Sequence, residues 1–147
     1  MLLVKILAVD PGTATGFAYW SDGECSSWTM KLHHALDDCN SLIADSGTRP
    51  DAVISESFTI TQRTLKASRD GQNSIEGIGV LRWLCHLYAI SFSTVSPSEA
   101  VSFSTNDKLK RAGLYVPQDH ERSARRVLLV ALVKTGAIDA RSLLDPS

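Results

Sequence analysis

Two carboxylates stand where chemistry could be done. Asp10 closes the apolar run Leu2-Leu3-Val4-Lys5-Ile6-Leu7-Ala8-Val9, and Glu56 closes Ala52-Val53-Ile54-Ser55. Each run reads as a buried strand, and in an open α/β sheet ligands collect outside the carboxyl ends of the strands. If the two strands are neighbours, the carboxylates converge. Converging carboxylates repel unless a cation lies between them, and hard oxygen donors favour magnesium, with manganese as a substitute. A third contribution is expected from Asp119 and His120, which open a late helix. His120 lies four residues before Ala124 and seven before Val127, on the apolar face turned to the sheet. An imidazole there can ligate a metal or move a proton. Each residue also has a plainer reading: Asp10 starts a Pro-Gly turn, Glu56 is a surface acid after a strand, Asp119 caps a helix, His120 is a core histidine. Their joint placement favours the metal site.

The elements that must position these groups are legible as patterns. After the first strand and its Asp10-Pro11-Gly12 turn, residues 15–20 and 24–30 flank Ser21-Asp22-Gly23, which predicts a hairpin continuing the sheet. Leu36, Cys39, Leu42 and Ile43 recur at helical spacing over residues 32–45, and Gly47 and Pro50 close that stretch before the strand ending at Glu56. A polar segment from Thr59 to Asn73 precedes a helical stripe of Ile75, Ile78, Leu81, Leu84, Cys85 and Tyr88. Residues 90–95 read as a short strand, Ser96-Pro97 as a helix start, residues 108–113 as a basic stretch with a turn, and Pro117-Gln118-Asp119 as the start of a last helix. The order β-β-β-α-β-α-β-α describes an α/β fold. Its mixed five-stranded sheet has three antiparallel leading strands and flanking helices.

The chain has 147 residues, 44% of them hydrophobic, enough for one ordinary core, so residues 1–147 are read as one domain. The leading apolar run, interrupted by Lys5 and ended by Asp10, is too short and too charged for a membrane span or a secretory leader, so neither membrane nor export is expected. Cys25, Cys39 and Cys85 are odd in number and lack a Cys-x-x-Cys spacing, which argues for small hydrophobes in a reducing cytoplasm rather than disulfides or a zinc site. The net charge of −1 conceals an asymmetry. Residues 1–61 hold three Lys/Arg against eight Asp/Glu, a net −5, whereas residues 62–136 hold eleven against six, a net +5. An acidic metal site beside a nucleic-acid surface produces such a split, as solvated helix faces also do.

The segments Asp10-Pro11-Gly12-Thr13-Ala14-Thr15-Gly16, Val53-Ile54-Ser55-Glu56, Gly77-Ile78-Gly79-Val80, Ser96-Pro97-Ser98-Glu99 and Asp119-His120 together resemble the RuvC-type Holliday-junction resolvases, particularly the small ones of bacteriophages. The resemblance spans nearly the whole chain. It implies a ribonuclease H-like fold, a homodimer and magnesium-dependent nicking of two strands of a branched DNA, a four-way junction or a flap. For a phage protein the place of action would be the host cytoplasm. In that family the first strand is followed by an Asp, the fourth ends in a Glu, and a late helix supplies an Asp or His plus an Asp three residues on. Here those positions read Asp10, Glu56, His120 and Ser123. The implied chemistry is two-metal phosphodiester hydrolysis leaving a 5′ phosphate, with Asp10 bridging both ions and Glu56 and His120 or Asp119 holding one each. Lys108 or Lys110 would neutralise the scissile phosphate, and Phe58 would wedge at the crossover. The helix bearing Gly77 and Gly79 would pack across a two-fold axis, with packing inside one chain as the alternative.

Ser123 is the departure, neutral where the pattern places its last carboxylate. Either Asp119 or Glu121 compensates, Asp119 better by its place in the first turn, or the chain binds junctions without cutting them. Arg63, Lys66 and Arg69 recur every three residues after Glu56 and, with Lys108, Lys110 and Arg111, are the candidate phosphate contacts. A different class of protein shares part of the pattern. An Asp-x-Gly-Thr turn followed by a hairpin also cradles phosphate in actin-like ATPases and sugar kinases. Those need two such domains, and no second copy of the motif follows residue 56.

Overall fold

A computed structural model describes residues 4–58 and 69–144, with Arg69 and Asp70 described in backbone only. Strands β1 (Lys5–Asp10), β2 (Ala14–Ser21) and β3 (Glu24–Lys31) form an antiparallel meander. Its β2–β3 turn places Asp22 and Gly23 at φ 53° and 94°, the paired left-handed geometry that matches strand twist and that Gly adopts without strain. Helix α1 (Leu32–Ala44) returns the chain to β4 (Ala52–Glu56), which runs parallel to β1. Helix α2 (Arg69–Leu87) leads to β5 (Ser91–Val95), parallel to β4. The five-stranded order is β3-β2-β1-β4-β5, the mixed α/β sheet expected from the pattern.

The continuous apolar runs are explained by burial on both faces. Ile6 and Ala8 of β1 and Ile54 of β4 pack in the cluster that contains Val127, Leu128 and Ala131 of the last helix, α5 (Asp119–Lys134). Leu7, Val9 and Val53 point the other way, to Ala35 and Cys39 of α1 and Leu81 and Cys85 of α2. Each large side chain buried this way contributes about 1.5–3 kcal/mol. The three cysteines are free, Cys39 and Cys85 buried and Cys25 half-buried, and burial pushes the Cys39 and Cys85 thiols up, away from the reactive thiolate.

Helix α3 (Pro97–Phe103) starts as expected, with the Ser96 hydroxyl accepting from the Glu99 N–H at 3.2 Å and Pro97 in the first turn. The turn at Gly113 forms as expected, at φ 72°, but the basic stretch 108–111, to which the sequence assigns no element, belongs to a short helix, α4 (Asn106–Arg111), capped by Thr105, whose hydroxyl accepts from the Lys108 N–H at 3.3 Å. Only Leu109 of its six residues is buried, so no apolar period announces the helix. A correction concerns α5. Its N-cap is Gln118, not Asp119, and no side chain caps it. A 3₁₀ turn, Ala140–Leu143, follows. Among the described residues no helix is long and apolar enough to cross a membrane.

Candidate active site

Alternation along the strands decides where the two carboxylates point. Asp10 shares a face with Ile6 and Ala8, and Glu56 shares one with Ile54, so both acids project to the side of the sheet that carries α5. The parallel register pairs Ala8 with Ile54 and Val9 with Ser55, and the next step brings Asp10 alongside Glu56. Both line a pocket of about 280 Å³ with Pro11, Ser57, Phe58, Ser74 and Pro97.

His120 reaches this pair because of a glycine. Gly16 faces Asp10 across the β1–β2 ladder, and its missing side chain admits the first turn of α5. A Cβ there would sit against the His120 carbonyl oxygen and 2.6 Å from its carbon. With the helix seated so closely, His120 Nδ1 lies 3.7 Å from Asp10 Oδ2; the carboxylate is 17% exposed and the imidazole 52%. His120 is thus a surface residue beside Asp10 rather than a core histidine, and it does not line the pocket. The opposite wall is held by α2. Ser74 donates to the Pro11 carbonyl at 2.8 Å and Asn73 donates to the Thr13 hydroxyl at 2.9 Å, which fixes the turn that follows Asp10.

The electrostatics are those of two acids crowded together. Burial, and then the charge of Asp10, push Glu56 up from 4.5 to about 7, while the Arg126 guanidinium pulls it down. Arg126 is held by donating to the Ser104 carbonyl at 3.3 Å and the Asn106 side-chain oxygen at 2.9 Å. No feature of the sequence marked Arg126, because its nearness to Glu56 depends on how α5 crosses β4.

The remaining candidates divide. Asp119 does not line the Asp10–Glu56 pocket. It is 86% exposed and accepts from Arg122 at 2.7 Å, an arginine that also donates to the Pro117 carbonyl at 3.0 Å. Glu121 accepts from the Ser27 hydroxyl at 3.0 Å, and Arg125 donates to that hydroxyl at 2.9 Å. Neither acid stands in for the carboxylate missing at Ser123, and among the described residues no three His, Cys, Asp or Glu side chains gather as a metal-binding group. Lys108 lies with its ammonium 4.5 Å from the Phe103 ring centre, Lys110 with its own 4.9 Å from the Tyr115 ring centre, and Arg111 donates to the Leu144 carbonyl at 3.3 Å. None of the three lines the Asp10–Glu56 pocket. Arg63, Lys66 and the Arg69 side chain lie outside the described residues. Phe58 packs its ring on Gly71 at the start of α2. Gly77 serves internal packing, against Leu32 and Pro11, whereas Gly79 faces open space.

No family model matches the sequence, and no curated protein matches it. Solved structures do match the fold. Thermus thermophilus RuvC in complex with a Holliday junction substrate aligns with a TM-score of 0.68 at 12% identity, covering 90% of this chain and 96% of that one. A second Thermus thermophilus RuvC structure aligns at 0.58 and 14% identity over the same shares. YeaZ from Pseudomonas aeruginosa aligns at 0.51 and 16% identity, over 75% of this chain and 50% of that one. With its mixed sheet in the order β3-β2-β1-β4-β5 and α5 laid across the carboxylate-bearing strands, the chain has the ribonuclease H-like fold of RuvC.

Proposed function

We propose that this protein is a metal-dependent endonuclease that nicks branched DNA, four-way junctions foremost, as a homodimer. One observation carries the reading: Asp10 and Glu56 meet on one pocket at the ends of adjacent parallel strands, with His120 beside Asp10. A pair of carboxylates that raise each other's cost of ionisation suits a hard divalent ion, and magnesium is commonly held by one or two carboxylates plus phosphate oxygens and water. The donor set fits one such ion in this way. With Ser123 neutral and Asp119 on Arg122, these residues do not furnish the ligands of a second.

Asp10 and Glu56 would hold magnesium, or manganese in its place, which supplies Lewis-acid polarisation of the phosphate. His120, with Nδ1 3.7 Å from Asp10 Oδ2, would carry a proton beside the site. Arg63, Lys66 and Arg69, which follow Glu56 in the chain, together with Lys110 and Arg111, would contact phosphates and position the DNA without reading its sequence. The dimer would form through α2. Ile75, Gly79, Trp83 and Leu87 recur every four residues on its outer face, with Trp83 58% and Leu87 54% exposed. Such an apolar stripe is suited to a second copy of itself, and two symmetric nicks need two sites.

The test is cleavage of a synthetic four-way junction, a flap and a linear duplex with magnesium or manganese, by the intact protein and by Asp10→Asn. Branched substrates should be cut and the variant should be inactive. Tight junction binding without cleavage under either metal would replace the nuclease with a junction-binding protein.

A further inference from the structure

A second cavity, unrelated to the carboxylate pair, lies between α3 and the C-terminal half of α5. Its volume is about 460 Å³. Helix α3 lines it with Glu99 and Phe103, α5 with Val130, Val133 and Lys134, and Lys108 of α4 closes one end. Val130 comes ten residues after His120, which sets it about 15 Å farther along the helix axis. The floor is apolar: Val130 is buried, and Phe103 and Val133 are half-buried. The charged lining is cationic on balance, Lys108 and Lys134 against Glu99. Lys108 holds its ammonium over the Phe103 ring, Lys134 is exposed, and among the described residues neither forms an ion pair.

These features select one class of occupant. An apolar floor gains only from burying an apolar group, so a bare phosphate or a metal ion leaves most of the cavity unused. A nucleobase would place polar edge atoms against valines, at the cost of its lost hydrogen bonds, and Lys108 already covers Phe103, on which it would stack. A peptide carrying an apolar side chain next to carboxylates meets each element: the side chain on Val130 and Val133, a carboxylate between Lys108 and Lys134, and a backbone N–H donated to Glu99. The volume is within the range of about 300–1,000 Å³ usual for ligand sites. We propose that the groove between α3 and α5 docks an acidic peptide segment of a partner protein, anchored by one large apolar side chain. This neither uses nor requires the nuclease reading, since the groove and the Asp10–Glu56 pocket share no lining residue.

The test is fluorescence anisotropy with a labelled octapeptide of Asp and Glu around a central Leu-Phe, titrated with the full chain. Two control peptides replace the acids by Asn and Gln, or the Leu-Phe by Ala-Ala. The acidic apolar peptide should bind saturably, and either control should bind about tenfold or more weakly, a difference of about 1.4 kcal/mol. Lys134→Glu should weaken the acidic peptide and favour one with Lys in place of its acids, while its junction cleavage matches that of the unaltered protein. Backbone amide shifts on peptide addition should centre on Phe103, Val130 and Val133. Equal binding of all three peptides, no binding, displacement by an oligothymidylate strand, or shifts centred on Asp10 and His120 would each overturn the proposal. Failure here would leave junction cleavage intact, so the two readings fall separately.

Discussion

Glu56→Gln should make the metal-free protein more stable at pH 8, although it removes a residue of the candidate site. In the folded chain the Glu56 carboxyl is pushed from 4.5 up to about 7, first by burial and then by Asp10. Moving a carboxyl that far corresponds to about 3.4 kcal/mol, at about 1.36 kcal/mol per pH unit. Glu56 is only partly buried, and solvent screening reduces the figure to about 1–2 kcal/mol. The sign follows from proton binding. Between pH 4.5 and about 7 the folded state holds a proton that the unfolded state has lost, so stability is full below the unfolded value and declines as pH rises through the folded one. Urea melts with chelator present, at intervals from pH 4 to 8, measure this as the difference between the two proteins, which cancels the other titrating groups. Glutamine, neutral throughout, should gain about 1–2 kcal/mol on the parent across that window. A constant difference from pH 4 to 8, or a variant less stable at pH 8, would refute the reasoning that Glu56 is strained by Asp10 and burial.

Three further outcomes follow from the geometry. Gly16→Ala drives a Cβ into the His120 backbone, so the variant should lose about 1–3 kcal/mol in denaturant melts, and cleavage should fall further as His120 moves away from Asp10. Asp119→Asn should leave cleavage within about threefold of the parent under conditions where Asp10→Asn abolishes it, because Asp119 faces Arg122 and solvent; an equal loss would return Asp119 to the metal site. Trp83→Glu should convert a dimer to a monomer in sedimentation while changing monomer stability by less than about 0.5 kcal/mol, since the ring is 58% exposed; an unchanged dimer would move the interface off α2.

Much of the fold was legible in the sequence because its signals are local. Ile6 to Val9 and Ala52 to Ile54 are apolar without alternation, as strands covered on both faces must be, and Asp22-Gly23 specifies its hairpin by backbone geometry. Period-two counting then sends Asp10 and Glu56 to one side of the sheet once their strands are parallel neighbours. Helix α4 was illegible because one buried leucine in six residues has no period.

The strand-end carboxylates and the order of elements around them are local properties of the chain, because side-chain direction within an element depends only on its own repeat. Tertiary structure alone decided their company. Whether His120 meets Asp10 depends on α5 seating in the gap left by Gly16, and Asp119 is instead taken up by Arg122, one turn along the same helix. Lys108 likewise reads as a phosphate contact in a basic stretch and lies over Phe103 at the far groove, because the crossing of α3, α4 and α5 sets its neighbours. Such contacts are settled by packing between segments distant in the chain, where several partners compete for one group and spacing along the sequence does not rank them.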